Sequence, residues 1–306
     1  PTVAYLGGSE GVYKTTDDGT SWATTGPLPL PDPPGTYKKA HVQYLIHHPV
    51  TPSLLYAGAA LEDATAPNDP DNIASGALYI SDDGAQSWTL ISATGTLSNV
   101  NRVVFAPSDS RMIYLGTGMG DAGVMGNGIW RSTDGGETWM HPEPPELAGT
   151  MVQGLTIHPH DPQLLLAGIW DGPNSGRGIV RSVDGGDTWE STAGLTSDGE
   201  RKVTEIAYHG DNLRIVYAAT HGGLRVSFNG GQTWRPYPGA VGTIPITAMT
   251  VVTTEAGTLL YLGTVGGTIV ADGPGRLAAG RPTLLGAGVY VGQSHWYGVN
   301  LPLVLR

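Results

Sequence analysis

The chain has 306 residues, with 46 Gly, 23 Pro and no Cys, and charged side chains make up 14% of it. Sixteen basic against 27 acidic residues leave a net charge of −11, which argues against nucleic acid or an anionic membrane surface as partner, since counterion release needs a basic face. Without cysteine there is no disulfide, thiolate metal site or cysteine nucleophile, and no apolar run reaches the ~18 residues of a membrane helix.

The chain opens at Pro1 without an initiator Met, which predicts a processed or trimmed product. Two short strands are expected first, Thr2–Gly7 and Gly11–Lys14, followed by the octapeptide Thr15-Thr-Asp-Asp-Gly-Thr-Ser-Trp22. That octapeptide recurs as Ser81-Asp-Asp-Gly-Ala-Gln-Ser-Trp88, Ser132-Thr-Asp-Gly-Gly-Glu-Thr-Trp139, Ser182-Val-Asp-Gly-Gly-Asp-Thr-Trp189 and Ser227-Phe-Asn-Gly-Gly-Gln-Thr-Trp234. Ahead of the later copies run Leu54–Gly58, Met112–Gly116, Leu164–Gly168 and Ile215–Ala219, each a β-rich stretch preceded by a further strand that ends in a turn. A sixth stretch, Leu259–Gly263, is followed only by a decayed version of the motif around Gly267–Gly275.

Four short strands in about 50 residues, repeated along the chain, predict the blades of a β-propeller, with strands A (inner) to D (outer). The octapeptide belongs at the C–D hairpin. Its Asp or Asn accepts backbone N–H bonds, its glycines supply positive φ, and its Trp opens strand D with the indole packed between sheets. We therefore expect an all-β, six-bladed propeller in one domain spanning 1–306. Its parts are strands B–D of blade one (1–25), blades two (41–91), three (101–140), four (152–191), five (203–236) and six (246–290), with 298–305 as strand A of blade one. Such a tail strand would close the ring and remove its open edges; a seventh blade requires a degenerate one within 276–306.

The motif Ser/Thr-x-Asp-x-Gly-x-Thr-Trp resembles the Asp-box, or bacterial neuraminidase repeat, over residues 1 to about 272. Propellers with this repeat include sialidases, xyloglucan-active glycoside hydrolases, sortilin-type sorting receptors and photosystem II assembly factors. The resemblance implies the fold and leaves function to the particular residues. It makes Asp17, Trp22, Asp83, Trp88, Asp134, Trp139, Asp184, Trp189, Asn229 and Trp234 structural, and Asn229 supports this because a turn acceptor tolerates an amide. His47, His48, His158, His160 and His209 lie at A–B turns and read as structural too. His41, His141 and His221 fall toward the opposite face.

Functional residues are expected where loops are long. The B–C loop Ala59–Ser75 carries Glu62, Asp63, Asn68, Asp69, Asp71 and Asn72; Thr117–Asn127 carries Asp121; and Ile169–Arg177 carries Trp170, Asp171 and Asn174. Beside them lies the Pro-rich insertion Gly26–Lys39 with Tyr37. Three readings of this crescent stand. In a glycan site, Tyr37, Trp130 or Trp170 would stack on sugar rings while Glu62, Asp63, Asp121, Asp171, Asn174 and Arg177 bond hydroxyls. In a calcium site, Asp69 and Asp71 would be the metal ligands. In the third, the loops form a solvated acidic rim.

A glycosidase would draw its paired acids from Glu62, Asp121 and Asp171. The sialidase Arg-Ile-Pro is absent, since Thr243-Ile-Pro245 has no Arg, and xyloglucan-active enzymes use two propellers around a cleft where this chain supplies one. Glu10 stands in a short loop where that enzyme family has Asp. Assembly factors grip partners with a basic patch, for which four lysines are few. The reading that results is a secreted or cell-envelope, non-catalytic module that binds a polysaccharide or an extracellular protein, without a cofactor unless structural calcium is held. A glycoside hydrolase is the alternative, and self-assembly through the apolar tail Leu301–Leu305 is the third.

Overall fold

The computed structural model describes residues 3–31, 35–64, 73–92, 98–118, 128–142, 144, 147–172, 175–254, 257–264, 267–272 and 303–305. It divides into two units, one formed by residues 1–143 with 288–306 and the other by 144–287. Both are built from antiparallel meanders.

In the first unit the sheets are β1 (Ala4–Gly8), β2 (Gly11–Thr15) and β3 (Ala23–Thr24); β4 (Tyr37–His47), β5 (Leu55–Asp63), β6 (Ile73–Ser81) and β7 (Thr89–Ser92); and β8 (Val100–Ala106), β9 (Asp109–Thr117) and β10 (Ile129–Ser132). In the third of these a single bridge, Arg131 to Met140, stands where a fourth strand would be. In the second unit they are β11 (Met151–His158), β12 (Asp161–Gly172), β13 (Ser175–Ser182) and β14 (Glu190–Ser191); β15 (Val203–Tyr208), β16 (Val216–Thr220), β17 (Gly223–Ser227) and β18 (Arg235–Pro236); and β19 (Ile246–Thr254), β20 (Gly257–Thr264) and β21 (Gly267–Asp272). One helical turn, α1 (Asp198–Arg201), precedes β15. The last strand, β22 (Leu303–Leu305), pairs antiparallel with β1 in the register Ala4–Leu305 and Leu6–Leu303, so the first sheet runs β22-β1-β2-β3.

Sheets pack face to face within each unit. Tyr5 and Val12 meet Val42, Leu45, Leu55 and Tyr79, while Tyr56 and Leu78 meet Val103, Phe105 and Leu115. In the second unit Leu166 and Ile179 pack on Val203 and Ile206, and Tyr217 and Leu224 pack on Ile246 and Leu260. Central strands are buried on both sides, which is why Ala57, Ala59 and Ala60 of β5 and all of β16 are buried. Chain length that the sequence suggested was loop instead lengthens hairpins. β5 continues through Asp63, β12 runs to Gly172, and β4 begins at Tyr37, inside the expected insertion.

The first strand of five sheets carries the same irregularity. Register skips one residue between Val42 and Tyr44, Val100 and Arg102, Val152 and Gly154, Val203 and Glu205, and Ile246 and Ala248. The skipped residues, Gln43, Asn101, Gln153, Thr204 and Thr247, are all polar. A bulge leaves its extra residue outside the ladder, and several side chains find carbonyls: Asn101 Nδ2 donates to Gly118 O at 2.6 Å, and Thr204 Oγ1 to Ala219 O at 3.2 Å or Ile246 O at 3.1 Å.

All five octapeptides share one bond pattern. In the fourth, Ser182 Oγ donates to Asp184 Oδ1 at 2.8 Å and accepts from Gly186 N at 2.8 Å, while Thr188 N donates to Asp184 Oδ1 at 2.9 Å and Thr188 Oγ1 donates to Oδ2. The fourth and fifth residues take positive φ, as in Gly185 (73°) and Gly186 (90°), and Ala85 adopts 70° in the second copy. Asn229 keeps the Oδ1 contacts, to Ser227 Oγ at 2.8 Å and Thr233 N at 3.0 Å. There the last bond reverses, with Asn229 Nδ2 donating to Thr233 Oγ1 at 3.0 Å. The tryptophan precedes strand D instead of opening it, and Trp22 is 39% exposed, whereas Trp88, Trp189 and Trp234 are buried.

The hydrogen bonds of the motif hold Asp17, Asp83, Asp134 and Asp184 near pKa 2, below the ordinary 3.8. A carboxyl lowered on folding adds stability above 3.8 and loses it as pH falls toward 2. We expect Asp184→Asn to match wild type in urea midpoint at pH 7, because it reproduces the fifth copy, and to lose less than wild type between pH 4 and pH 2. A large loss at pH 7 would show that the charge itself, and not the acceptor, holds the turn.

Candidate functional site

The charged constellation of the first unit centres on Glu62, at the far end of β5. Glu62 is 6% exposed and pairs across the ladder with Lys39. A second bulge, between Tyr37 and Lys39, leaves Lys38 outside the register, and bulges of this kind re-aim a side chain. Lys38 Nζ reaches Glu62 Oε1 at 3.0 Å, and His41 Nε2, further along β4, meets Glu62 Oε2 at 3.0 Å. Lys39 bonds Glu10 in the β1–β2 turn. Burial pushes the Glu62 carboxyl up, but the hydrogen bonds and charges of Lys38 and His41 outweigh it and hold the group below its usual value. Glu10 is lowered by its bond to Lys39. Both carboxylates are therefore ionised near neutrality, able to accept hydrogen bonds and poorly suited to deliver a proton.

Tyr37 and Asp63 face each other across the same ladder, both half-buried, with Tyr37 packed against the first hydrophobic cluster. Sequence reasoning found Glu62, Asp63, Tyr37 and His41 but missed Lys38 and Lys39, because the bulge that turns Lys38 toward Glu62 has no side-chain signature. Asp69, Asp71, Asp121 and Asn174 lie outside the described residues. Among the described residues no group of three His, Asp or Glu side chains is placed to hold a metal ion.

In the second unit Asp171 and Arg177 are paired at 3.4 Å near the tip of the β12–β13 hairpin. Trp170 corrects an expectation. It is 7% exposed, its Nε1 donates to Val203 O at 2.9 Å, and its ring meets His221 edge-on at 5.3 Å. A buried indole with its N–H used is no platform for a sugar ring. In the first unit Trp130 is stacked by His141 at 4.4 Å, so one of its faces is covered.

The turn histidines have a backbone role. Nδ1 of His48 accepts from Thr51 N at 3.0 Å, that of His158 from His160 N at 3.2 Å, and that of His209 from Asp211 N at 3.1 Å. Each imidazole substitutes for an Asx side chain in its turn. The rings of His158 and His160 stand edge to face at 6.3 Å, with the His158 Nδ1 lone pair committed. Lys14, beside the first octapeptide, donates to Gly84 O at 3.0 Å and so ties two sheets together.

The Sortilin-Vps10 family model (sortilin, neurotensin receptor 3) matches residues 76–193, less than half of the chain. No curated protein matches. Among solved structures, the chain is similar to a GH74 enzyme of Niastella koreensis, with 15% identity over 86% of this chain and 40% of that one, and a TM-score of 0.56. The GH74 xyloglucanase of Xanthomonas campestris gives 18% identity over 85% and 40%, at a TM-score of 0.56. YCF48 bound to D1 peptide gives 15% identity over 90% of this chain and 76% of that one, also at 0.56. The chain thus spans 40% of the length of either GH74 protein. At these identities what is shared is architecture: the chain has the fold of a β-propeller, common to the GH74 enzymes and YCF48.

Proposed function

We propose that this chain is an Asp-box propeller that acts outside the cell as a non-catalytic binding module, and that its partner is a segment of another protein. The observation that carries this reading is the state of Glu62. A glycosidase needs one carboxyl that keeps its proton near the working pH, and Glu62, buried and bonded to Lys38 and His41 at 3.0 Å each, does not fit that acid role. The burial of Trp170 favours a protein over a polysaccharide, since it withdraws a ring that would have stacked on sugar. The five octapeptides, with one bond pattern and one exchange of Asp for Asn, support the Asp-box assignment. YCF48 has been solved with a peptide bound to it, a precedent for this kind of partner on a similar fold.

The test has two arms: release of reducing ends from a wide panel of polysaccharides by wild type and by Asp121→Ala/Asp171→Ala, and binding of wild type to a peptide array. We expect no release and saturable binding to a subset of peptides. Release that disappears in the double variant would make the chain a glycoside hydrolase and overturn the proposal.

A further inference from the structure

The second unit contains an open cleft of about 700 Å³ on the side of the A–B and C–D turns, within the range of small-ligand and peptide sites. Leu164, Leu213 and the buried Tyr208 give it an apolar floor. Arg181, Arg214, Asn212 and Gln232 give it polar edges. Asp211, His158 and His160 complete its titratable lining. Arg181 is engaged by Glu190 at 3.2 Å. Arg214 is different: it is exposed, and among the described residues its guanidinium makes no ion pair or side-chain hydrogen bond.

The repeat itself supplies the comparison. Arg214 occupies the place in its A–B turn that Arg111 occupies in the β8–β9 hairpin of the first unit, three residues before the buried tyrosine of the following strand, Tyr217 and Tyr114 respectively. In both turns the residue two positions earlier caps the backbone, with Arg111 N donating to Asp109 Oδ1 at 3.1 Å and Arg214 N donating to Asn212 Oδ1 at 3.2 Å. Asp109 also clamps its arginine through two charged bonds, from Nε at 3.1 Å and Nη2 at 3.0 Å. Asn212 keeps the cap and lacks the charge, so Arg214 is released into the cleft with its planar fork of donors unused. A carboxylate from outside fits where Asp109 sits in the other turn, since paired N–H donors of a guanidinium match two carboxylate oxygens.

We infer that this cleft is a binding site for a carboxylate of an extended protein segment, with Arg214 as the recognising cation, Asn212 and Gln232 as neutral donors and the Leu164–Tyr208–Leu213 floor taking an adjacent apolar side chain. The inference rests on the reading of the chain as a protein-binding module and assigns that module's site and the chemistry of its partner. The carboxylate is either a side chain or a chain terminus, and the two are separated in the test.

The experiment uses the whole chain and an array of short peptides in which Asp or Glu is paired with Asn or Gln, and free C-termini with amidated ones, followed by fluorescence polarisation on the best binders. Wild type should bind acidic or free-terminus peptides about tenfold or more tightly than their neutral counterparts. Arg214→Gln should remove that preference. So should Asn212→Asp, which restores the internal clamp of the other turn without disturbing the cap. Loss with side-chain neutralisation alone identifies an internal acidic residue as the ligand, and loss with amidation alone identifies a C-terminus. Peptide binding that survives both variants overturns the cleft while leaving the module's function standing; an array with no binders overturns both. A second probe needs no partner peptide: titration with glutarate, followed by NMR, should shift the Arg214 Nε–H resonance, and an unmoved resonance overturns the assignment.

Discussion

Gly194→Ala should destabilise the second unit by about 3–5 kcal/mol. After β14 the chain crosses to the next octapeptide and bonds to it: Ala193 N donates to Gln232 O at 3.2 Å, and Trp234 N donates to Ala193 O at 2.9 Å. Ala193 and Thr233 thereby form a parallel bridge. Gly194 follows with φ at +101°, and a Cβ placed there would stand 2.0 Å from Trp234 O and 2.9 Å from Trp234 N. Those atoms belong to a backbone fixed by the turn and cannot rotate away, so the substitution carries overlap as well as left-handed strain. Gly230→Ala separates the two costs, since its φ is +69° and no atom lies within 4 Å of a Cβ there. It should lose only the strain, about 1–2 kcal/mol. Urea midpoints of the two variants measure the difference, and equal losses would mean that the crossing segment is not tightly held. In the first unit Gly26 also lies against the next octapeptide, where a Cβ would approach Gln86 O at 2.0 Å, without the positive φ of Gly194.

What can be read from the sequence follows from how local each bond is. The octapeptide is legible because its partners lie within four residues of one another: Ser182, Asp184, Gly186 and Thr188 satisfy each other inside one turn. The β-rich stretches are legible because both faces of the central strands are buried, leaving uninterrupted apolar runs. The bulges are not legible. Polar Gln43 or Thr204 in a strand looks like an ordinary outward residue, and only the register shows that the ladder skips it. The same gap hides the site chemistry, because the alternation expected of a regular strand gives no reason for Lys38 to reach Glu62. Trp170 misleads for a related reason. The β12–β13 hairpin continues to Gly172, so the indole lies in a sheet and is covered by Val203 and His221. The freedom of Arg214 is present in the sequence as Asn212 against Asp109, but it acquires meaning only once the two turns are known to cap their backbones in the same way.

Glu200→Ala should cost about 3–5 kcal/mol, and the reason lies in Arg225. The α1 turn has four residues, too few to persist alone. It is held by Glu200, whose Oε2 accepts from Thr196 N at 2.7 Å and from Ser197 N at 3.2 Å, while Ser197 Oγ accepts from Glu200 N at 3.3 Å. The other oxygen receives Arg225 Nη2 at 3.0 Å, and that arginine side chain is 4% exposed. The same nitrogen also donates to Gly222 O at 2.8 Å, but Arg225 Nε and Nη1 have no partner among the described residues. The guanidinium therefore depends on one carboxylate for its charge. Burial raises the Glu200 pKa, while the Thr196 and Ser197 amides and Arg225 outweigh it and hold the group below 4.5. Its contribution is complete above that value and falls away as acid protonates the folded form. Truncating Glu200 leaves a buried charge without a counterion, so removing the charge as well should recover stability: Glu200→Ala/Arg225→Met should unfold at higher urea than Glu200→Ala alone, despite carrying one more substitution. If the double variant is weaker by the sum of the two single losses, the pair is not coupled and α1 is held by its capping bonds. Recovery in the double variant would make the ion pair the link that fastens α1 to the β16–β17 turn.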